Sequence, residues 1–350
     1  MKKIIGIVLS GLLLLGCLPV SVFAAAEFTP QTNAVDLRVG ILGDTHVGST
    51  SAAAYPFFQD NVNDLVALGE NQLDGLVLSG DIIYQPASYD ENNYDAVLGV
   101  LNQAGLLNKP FVWAMGNHEY PLLSKDETLL AKSRTLFTQK TGHDVRQHVK
   151  MNGISFIAAA ADDYYGKVSA ETEAWLKDEI EASIAADSSN AVNGAFEEGV
   201  VPNSAKPVFL TLHHPVSHTI FDLDDTNYTQ GFVNYLKSRP QVILLTGHMH
   251  MPAELPATMW QDGFSAFQVP HSSGGNLELP DMSNEIGPSD VHQGAMLEVK
   301  DNVVSIYKFN TVTNEFIGRP WVIDIPAIVA DQTDSNAEND NDHYLYSPDK

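Results

Sequence analysis

The sequence predicts an α/β fold built on parallel strands, and three observations carry that expectation. Short, fully apolar runs of strand length alternate with longer stretches whose apolar residues recur at the helical period. Most of these runs stop at glycine, aspartate, asparagine or histidine, as strands do when they deliver ligands beyond the carboxyl edge of a sheet. From Phe264 onward the helical period disappears and only strand-like segments remain.

Residues 1–26 stand apart from this pattern. Met1, Lys2 and Lys3 precede an apolar run from Ile4 to Val20 and a small-residue ending, Ala24-Ala25-Ala26, which is the form of an export signal. The expected destination is therefore outside the cytoplasm, secreted or at the cell surface. Cys17, the one cysteine, lies inside that segment, so the exported chain would form no internal disulfide. Leu14-Leu15-Gly16-Cys17 also resembles a lipoprotein processing site, which leaves a lipid anchor at Cys17 open beside cleavage after the alanines. No later segment is long and apolar enough to span a membrane.

The run Leu37 to Leu42 reads as the first strand; Gly43 closes it and Asp44-Thr45-His46 follows. On extended backbone, residues two apart share a face, so this carboxylate and imidazole point toward one cation. Phe58, Val62, Leu65, Val66 and Leu68 set a near-helical period over residues 55–71, and the strand Gly75 to Leu78 then ends in Ser79-Gly80-Asp81. A second helix, Tyr94 to Ala104, leads into Phe111 to Met115 and the tetrapeptide Gly116-Asn117-His118-Glu119. After a helix over Lys125 to Gln139, the strand Ile154 to Ala160 ends in Asp162-Asp163-Tyr164-Tyr165, whose acids read as a solvated loop. Ser169 to Ala186 places Trp175, Leu176, Ile180 and Ile184 on one helical face, and residues 188–205 read as a surface loop rich in Gly, Asn and Ser.

Two further strands, Val208 to Leu212 and Val242 to Leu245, deliver His213-His214-Pro215 and Gly247-His248-Met249-His250. The β-rich remainder holds a strand over Phe264 to Val269, then a hairpin of Ala295 to Val299 with Val303 to Phe309, and an edge strand at Trp321 to Ile325. Residues 331–350 are polar and acidic, which predicts a disordered tail. The formal charge of −25 excludes a nucleic-acid polymer as a bulk electrostatic partner. A small phosphate substrate is compatible with it, because a bound metal dominates the local field.

The strand ends together offer Asp44, His46, Asp81, Asn117, His118, His213, His214, His248 and His250. Imidazole mixed with carboxylate suits manganese, iron or zinc, whereas magnesium and calcium favour oxygen alone. A carboxylate bridges two cations and an imidazole nitrogen binds one, so a well-placed aspartate among histidines points to a dinuclear centre. Such a pair clamps the oxygens of a phosphate during displacement.

Five blocks resemble the calcineurin-like metallophosphoesterase family in order and spacing: Gly43-Asp44-Thr45-His46, Gly80-Asp81, Gly116-Asn117-His118-Glu119, His213-His214-Pro215 and Gly247-His248-Met249-His250. Gly166-Lys167-Val168-Ser169 with Trp175-Leu176 resembles the family's segment between the third and fourth blocks, so the likeness spans residues 36–326 as one domain. The resemblance implies two mixed β-sheets packed face to face and flanked by helices, with the ligand loops meeting at one rim. The segment from Phe264 to Ile325 would complete the second sheet.

The same resemblance implies two divalent or mixed-valence transition metal ions, Mn, Fe or Zn. Asp44, His46 and His250 would hold the first, and Asn117, His213 and His248 the second, with Asp81 bridging. His118 would protonate the leaving oxygen after attack by metal-bound hydroxide, and Glu119 would support a loop. His214, His218 and His271 are candidate substrate contacts. Tyr84 has the spacing of the tyrosinate ligand in purple acid phosphatases, but those lack the histidine found here at His46, so Tyr84 reads as a packed ring. His143, His148, His292 and His343 fit no block.

The implied function is hydrolysis of a small phosphate mono- or diester outside the cytoplasm. One alternative is an amide or lactam metallohydrolase, disfavoured by Asp-x-His where an early His-x-His is usual. Another is a non-catalytic surface-binding protein on the same fold, whose expected mark, a missing ligand, is absent here. The sequence leaves the oligomeric state open.

Overall fold

The computed structural model describes residues 35–48, 54–85, 91–187, 206–220, 227–272 and 292–326. The expected export signal, the loop over 188–205 and the acidic tail lie outside them. In chain order the elements begin β1 (Leu37–Leu42), α1 (Ala54–Leu68), β2 (Gly75–Leu78), α2 (Asn92–Gln103), β3 (Phe111–Trp113) and α3 (Glu127–Thr141). There follow β4 (Arg146–Met151), β5 (Ile154–Ala159), α4 (Ala170–Asp187), β6 (Val208–Leu212), α5 (Gln230–Lys237) and β7 (Val242–Thr246). The chain closes with β8 (Met259–Gln261), β9 (Ser265–Gln268), β10 (Gln293–Lys300), β11 (Val303–Asn310), β12 (Glu315–Phe316) and β13 (Trp321–Asp324).

The strands form two mixed sheets. The first runs β12-β11-β10-β1-β2-β3 with β13 also on β11, and the second runs β4-β5-β6-β7-β9-β8. Alternation along the strands sorts their side chains between layers. Val39, Ile41 and Val77 enter a core shared with Phe156, Phe209, Ile243 and Phe267 of the other sheet. Leu42, Leu76 and Leu78 instead face the helical layer of Phe58, Leu65, Val97 and Phe137. On the far side, Leu176, Ile180 and Ile184 of α4 and Phe232 and Leu236 of α5 cover Ile157, Leu210 and Leu244. The result is helix, sheet, sheet, helix.

One expectation is corrected. Of the segment from Phe264 to Ile325 only β9 joins the second sheet, with β8 beside it, because β10 pairs antiparallel with β1, Leu37 opposite Val299 and Ile41 opposite Ala295. The strands β11, β12 and β13 then extend the first sheet. Ala295, Leu297 and Val299 fill the inter-sheet core, which both sheets bound, so apolar alternation alone does not say to which sheet such a strand belongs. The strand β4 escaped the sequence reading because, as an edge strand, it carries Arg146, Gln147, His148 and Lys150.

What the topology does for function is set the rim. Strands β1, β2 and β3 are mutually parallel, as are β5, β6, β7 and β9, so their carboxyl ends gather. A parallel bridge between Gly43 and His271 ties the two sheets together there.

Candidate metal centre

Every ligand-type residue expected from the strand ends meets at this rim. The backbone just past β1 is laced to that past β2 by Asp44 N–H to Gly80 O at 3.0 Å, His46 N–H to Asp81 O at 2.9 Å and Val47 N–H to Ile82 O at 2.9 Å. Within the second sheet Gly247 N–H reaches His213 O at 2.9 Å, and across the sheets His248 N–H donates to the Asp44 carboxylate at 3.0 Å. Space is tight: a Cβ on Gly116 would stand 2.2 Å from Asp81 Oδ1, so only glycine admits the Asp81 carboxylate there.

Asp44, His46, Asp81, His248 and His250 all have positive φ, between 49° and 75°, a region that residues with a side chain rarely occupy. Five of the thirteen non-glycine residues with positive φ among the described residues thus stand at this one rim, which points to a site that the surrounding structure holds in place.

Two sets of donor atoms converge. Asp44, His46, Asp81 and His250 each place one nitrogen or oxygen within 4.8 Å of the others, and Asp81, His213 and His248 do the same. His46 Nε2 and His250 Nε2 stand 3.0 Å apart, with Asp44 Oδ1 3.3 Å from His250 Nε2. In the second set, Asn117 Oδ1 lies 3.1 Å from both His213 Nε2 and His248 Nδ1. Asp81 belongs to both sets; its Oδ2 is 3.0 Å from His213 Nε2 and 4.0 Å from His46 Nε2.

These residues fit a pair of cations. His213 Nδ1–H donates to Ser79 O at 2.9 Å, and that turns the Nε2 lone pair toward Asp81 and Asn117, both acceptors. Lone pairs facing one another at 3 Å repel unless a positive charge lies between them. Asp81 Oδ2 is buried and, apart from His213 Nε2 at 3.0 Å, meets no hydrogen-bond donor, which leaves it free to face a metal. Nitrogen and oxygen donors together suit manganese, iron or zinc.

The electrostatics agree. Burial opposes ionisation of Asp81, yet His213 and His118 hold its carboxyl well below the usual range. Burial opposes charge on His213 as well, and Asp81 and Asp44 nevertheless lift it to about 10, so the surrounding carboxylates draw a positive charge, proton or metal ion, onto its inward-facing nitrogen. His46 is pushed down to about 3, first by burial and then by His250, so at neutral pH it keeps a lone pair to donate.

His118 stands beside the donor sets and belongs to neither. Its backbone N–H donates to Asp81 Oδ1 at 2.7 Å, and its Nε2 is 4.0 Å from Asp81 Oδ2. Tyr84 stacks on its ring at 4.9 Å, in keeping with a packed tyrosine. Glu119 is fully buried, and its carboxylate accepts from Gly116 N–H at 2.6 Å, Asp81 N–H at 2.9 Å and Ile82 N–H at 2.9 Å, which fastens the loop after β2 to that after β3.

The three candidate substrate contacts divide. His214 is buried against His248 at 4.2 Å, in a space where a Cβ on Gly166 would come within 2.5 Å of its ring. His271 is buried, stacks parallel on His250 at 4.5 Å and donates Nδ1–H to Asp44 O at 3.1 Å. His218 is exposed on the loop after β6. Of the histidines outside the blocks, His143 packs on Phe111, His148 pairs with Glu179 at 2.6 Å and His292 stacks on Phe57; His343 lies outside the described residues.

Sequence reasoning missed Tyr164, which meets His118 edge-on at 6.0 Å. Its position just past the end of β5, on the same rim as the ligands, was the available signal.

A family model described as calcineurin-like phosphoesterase matches residues 37–252, ending just past His250. Among solved structures, a dimetal phosphatase from Danio rerio is similar at 15% identity and a TM-score of 0.51, covering 83% of this chain and 100% of that one. A 5'-nucleotidase from Candida albicans aligns at 13% identity and a TM-score of 0.40, covering 88% of this chain and 55% of that one. At 15% identity the likeness to the dimetal phosphatase is one of fold. No curated protein sequence matches the chain.

Proposed function

The chain belongs to the calcineurin-like phosphoesterase family, and from that premise we propose that it hydrolyses small phosphate mono- or diesters at a dinuclear metal centre. The observation that carries the reading is the sharing of Asp81 between two converging donor sets. Asp44, His46 and His250 would hold the first ion and Asn117, His213 and His248 the second, with Asp81 shared between them. Two divalent or mixed-valence transition metal ions, when bound, acidify a water and draw charge from the phosphoryl oxygens.

The protein's own groups do the rest. Ser79 O fixes the His213 tautomer so that Nε2 faces inward. Asn117 presents a neutral oxygen where another carboxylate would add repulsion. His118 Nε2, held beside Asp81 by the backbone contact and the stacked Tyr84, carries the proton that passes to the leaving oxygen.

Hydrolysis of a panel of mono-, di- and cyclic phosphoesters by wild type and Asp81→Asn tests this reading. Wild type turns over at least one class and Asp81→Asn loses it; equal activity in both, or none in either, contradicts the proposal. Export belongs to the same reading and rests on the signal-like residues 1–26. The mass of the mature N-terminus checks it and distinguishes lipidation at Cys17 from cleavage after the alanines.

A further inference from the structure

The loop that carries His248 and His250 leaves β7 of the second sheet, yet it is held by side chains of the first. Three residues past His250, both main-chain groups of the buried Ala253 are taken in this way. Ala253 N–H donates to Gln293 Oε1 at 2.8 Å, and Ala253 O accepts from Lys308 Nζ at 2.9 Å. Gln293 opens β10 and Lys308 lies on β11. The Gln293 amide also donates to both Glu254 carboxylate oxygens at 2.9 Å, and its backbone N–H reaches His271 O at 3.1 Å. The family match ends at residue 252, so these contacts lie beyond it.

Lys308 is the costly member of the group. Its ammonium is buried, where charge is expensive, and burial draws its pKa down against the opposing influence of Glu254. The bond to Ala253 O is charge-assisted, roughly twice as strong as one between neutral groups, and offsets part of that cost.

The consequence falls on one half of the centre. His250 Nε2 stands 3.0 Å from His46 Nε2 and 3.3 Å from Asp44 Oδ1, on backbone whose φ is 51° and which its surroundings must hold. His271, tied to Gln293, stacks on the His250 ring and donates to Asp44 O. In the second set, Asn117 and His213 follow β3 and β6, outside this loop, and His248 is fastened separately by its N–H to the Asp44 carboxylate.

We propose that Gln293 and Lys308 are positioning residues for the first metal site: by fixing both main-chain groups of Ala253 they hold His250 against Asp44 and His46, and so set the affinity of that site apart from the second. This inference rests on the dinuclear reading above.

The test titrates the metal-stripped full chain with cobalt(II), followed by visible absorption and calorimetry. The binding step lost in His46→Ala marks the first site, and the step lost in His213→Ala marks the second. Lys308→Met and Gln293→Met each keep an unbranched side chain and remove the polar contacts; either carries the test if the other does not fold. The expected result is a Kd about tenfold weaker at the first site, with the second within about twofold of wild type. Glu298→Ala, which removes a buried pair elsewhere in the same sheet, is expected to leave both steps unchanged. Equal weakening at both sites, no change at either, or the same first-site loss in Glu298→Ala overturns the proposal.

If wild type takes up fewer than two cobalt ions, the dinuclear reading fails separately and hydrogen exchange decides the clamp. Amides of residues 247–253 exchanging about tenfold faster in Lys308→Met than in wild type support it. Unchanged exchange there overturns it.

Discussion

At the scale of residues, the proposed chemistry is divided between groups that hold charge and one group that moves a proton. His118 lies beside Asp81 and outside both donor sets, so His118→Ala is expected to keep its metal while kcat falls about 100- to 10,000-fold, most with poor leaving groups. Elemental analysis of that variant alongside its kinetics checks both halves. Glu119 is different: its carboxylate gathers backbone N–H groups from two loops. Glu119→Ala leaves those donors buried and unpaired, and a loss of about 3 kcal/mol or more in urea unfolding is expected, with weakened metal binding. The residues that gather at the rim were legible because each follows a strand end in a residue type suited to metal. The Ser79 carbonyl and the Tyr164 edge were not, because a backbone atom and a through-space contact leave no mark on residue type.

Among elements, parallel strands were read correctly from alternating apolar runs and helical periods, and that reading already placed the site at their carboxyl ends. The partner of β10 was not readable, since a strand buried between two sheets has the same apolar pattern whichever sheet it joins. Arg38 of β1 and Glu298 of β10 form a buried pair at 2.6 Å, with Arg38 Nε also donating to Glu298 Oε1 at 2.7 Å. Removing one partner strands the other's charge, so Glu298→Ala is expected to cost about 3 to 5 kcal/mol of folding free energy. The pair lies toward the start of β1, away from the rim, so folded Glu298→Ala protein should retain its metal content. Denaturant unfolding and elemental analysis together check that separation.

For the whole molecule, the ligand loops of two sheets meet at one seam, joined by the Gly43 to His271 bridge and by hydrogen bonds from His248 to Asp44 and from His213 to Ser79. Ions bound at that seam stabilise the folded state alone. Chelation is therefore expected to lower Tm by about 5 to 10 °C, for a ligand initially near 100 times its Kd, and added manganese or zinc should restore it. Differential scanning calorimetry with and without chelator reads this directly.

The central claim is that Asp81 joins two metal sites into one centre, and metal stoichiometry tests it most directly. Purified wild type loaded with manganese or zinc is predicted to hold two ions per chain after desalting, and Asp81→Asn fewer. One ion or none in wild type, or two retained in Asp81→Asn, would contradict it.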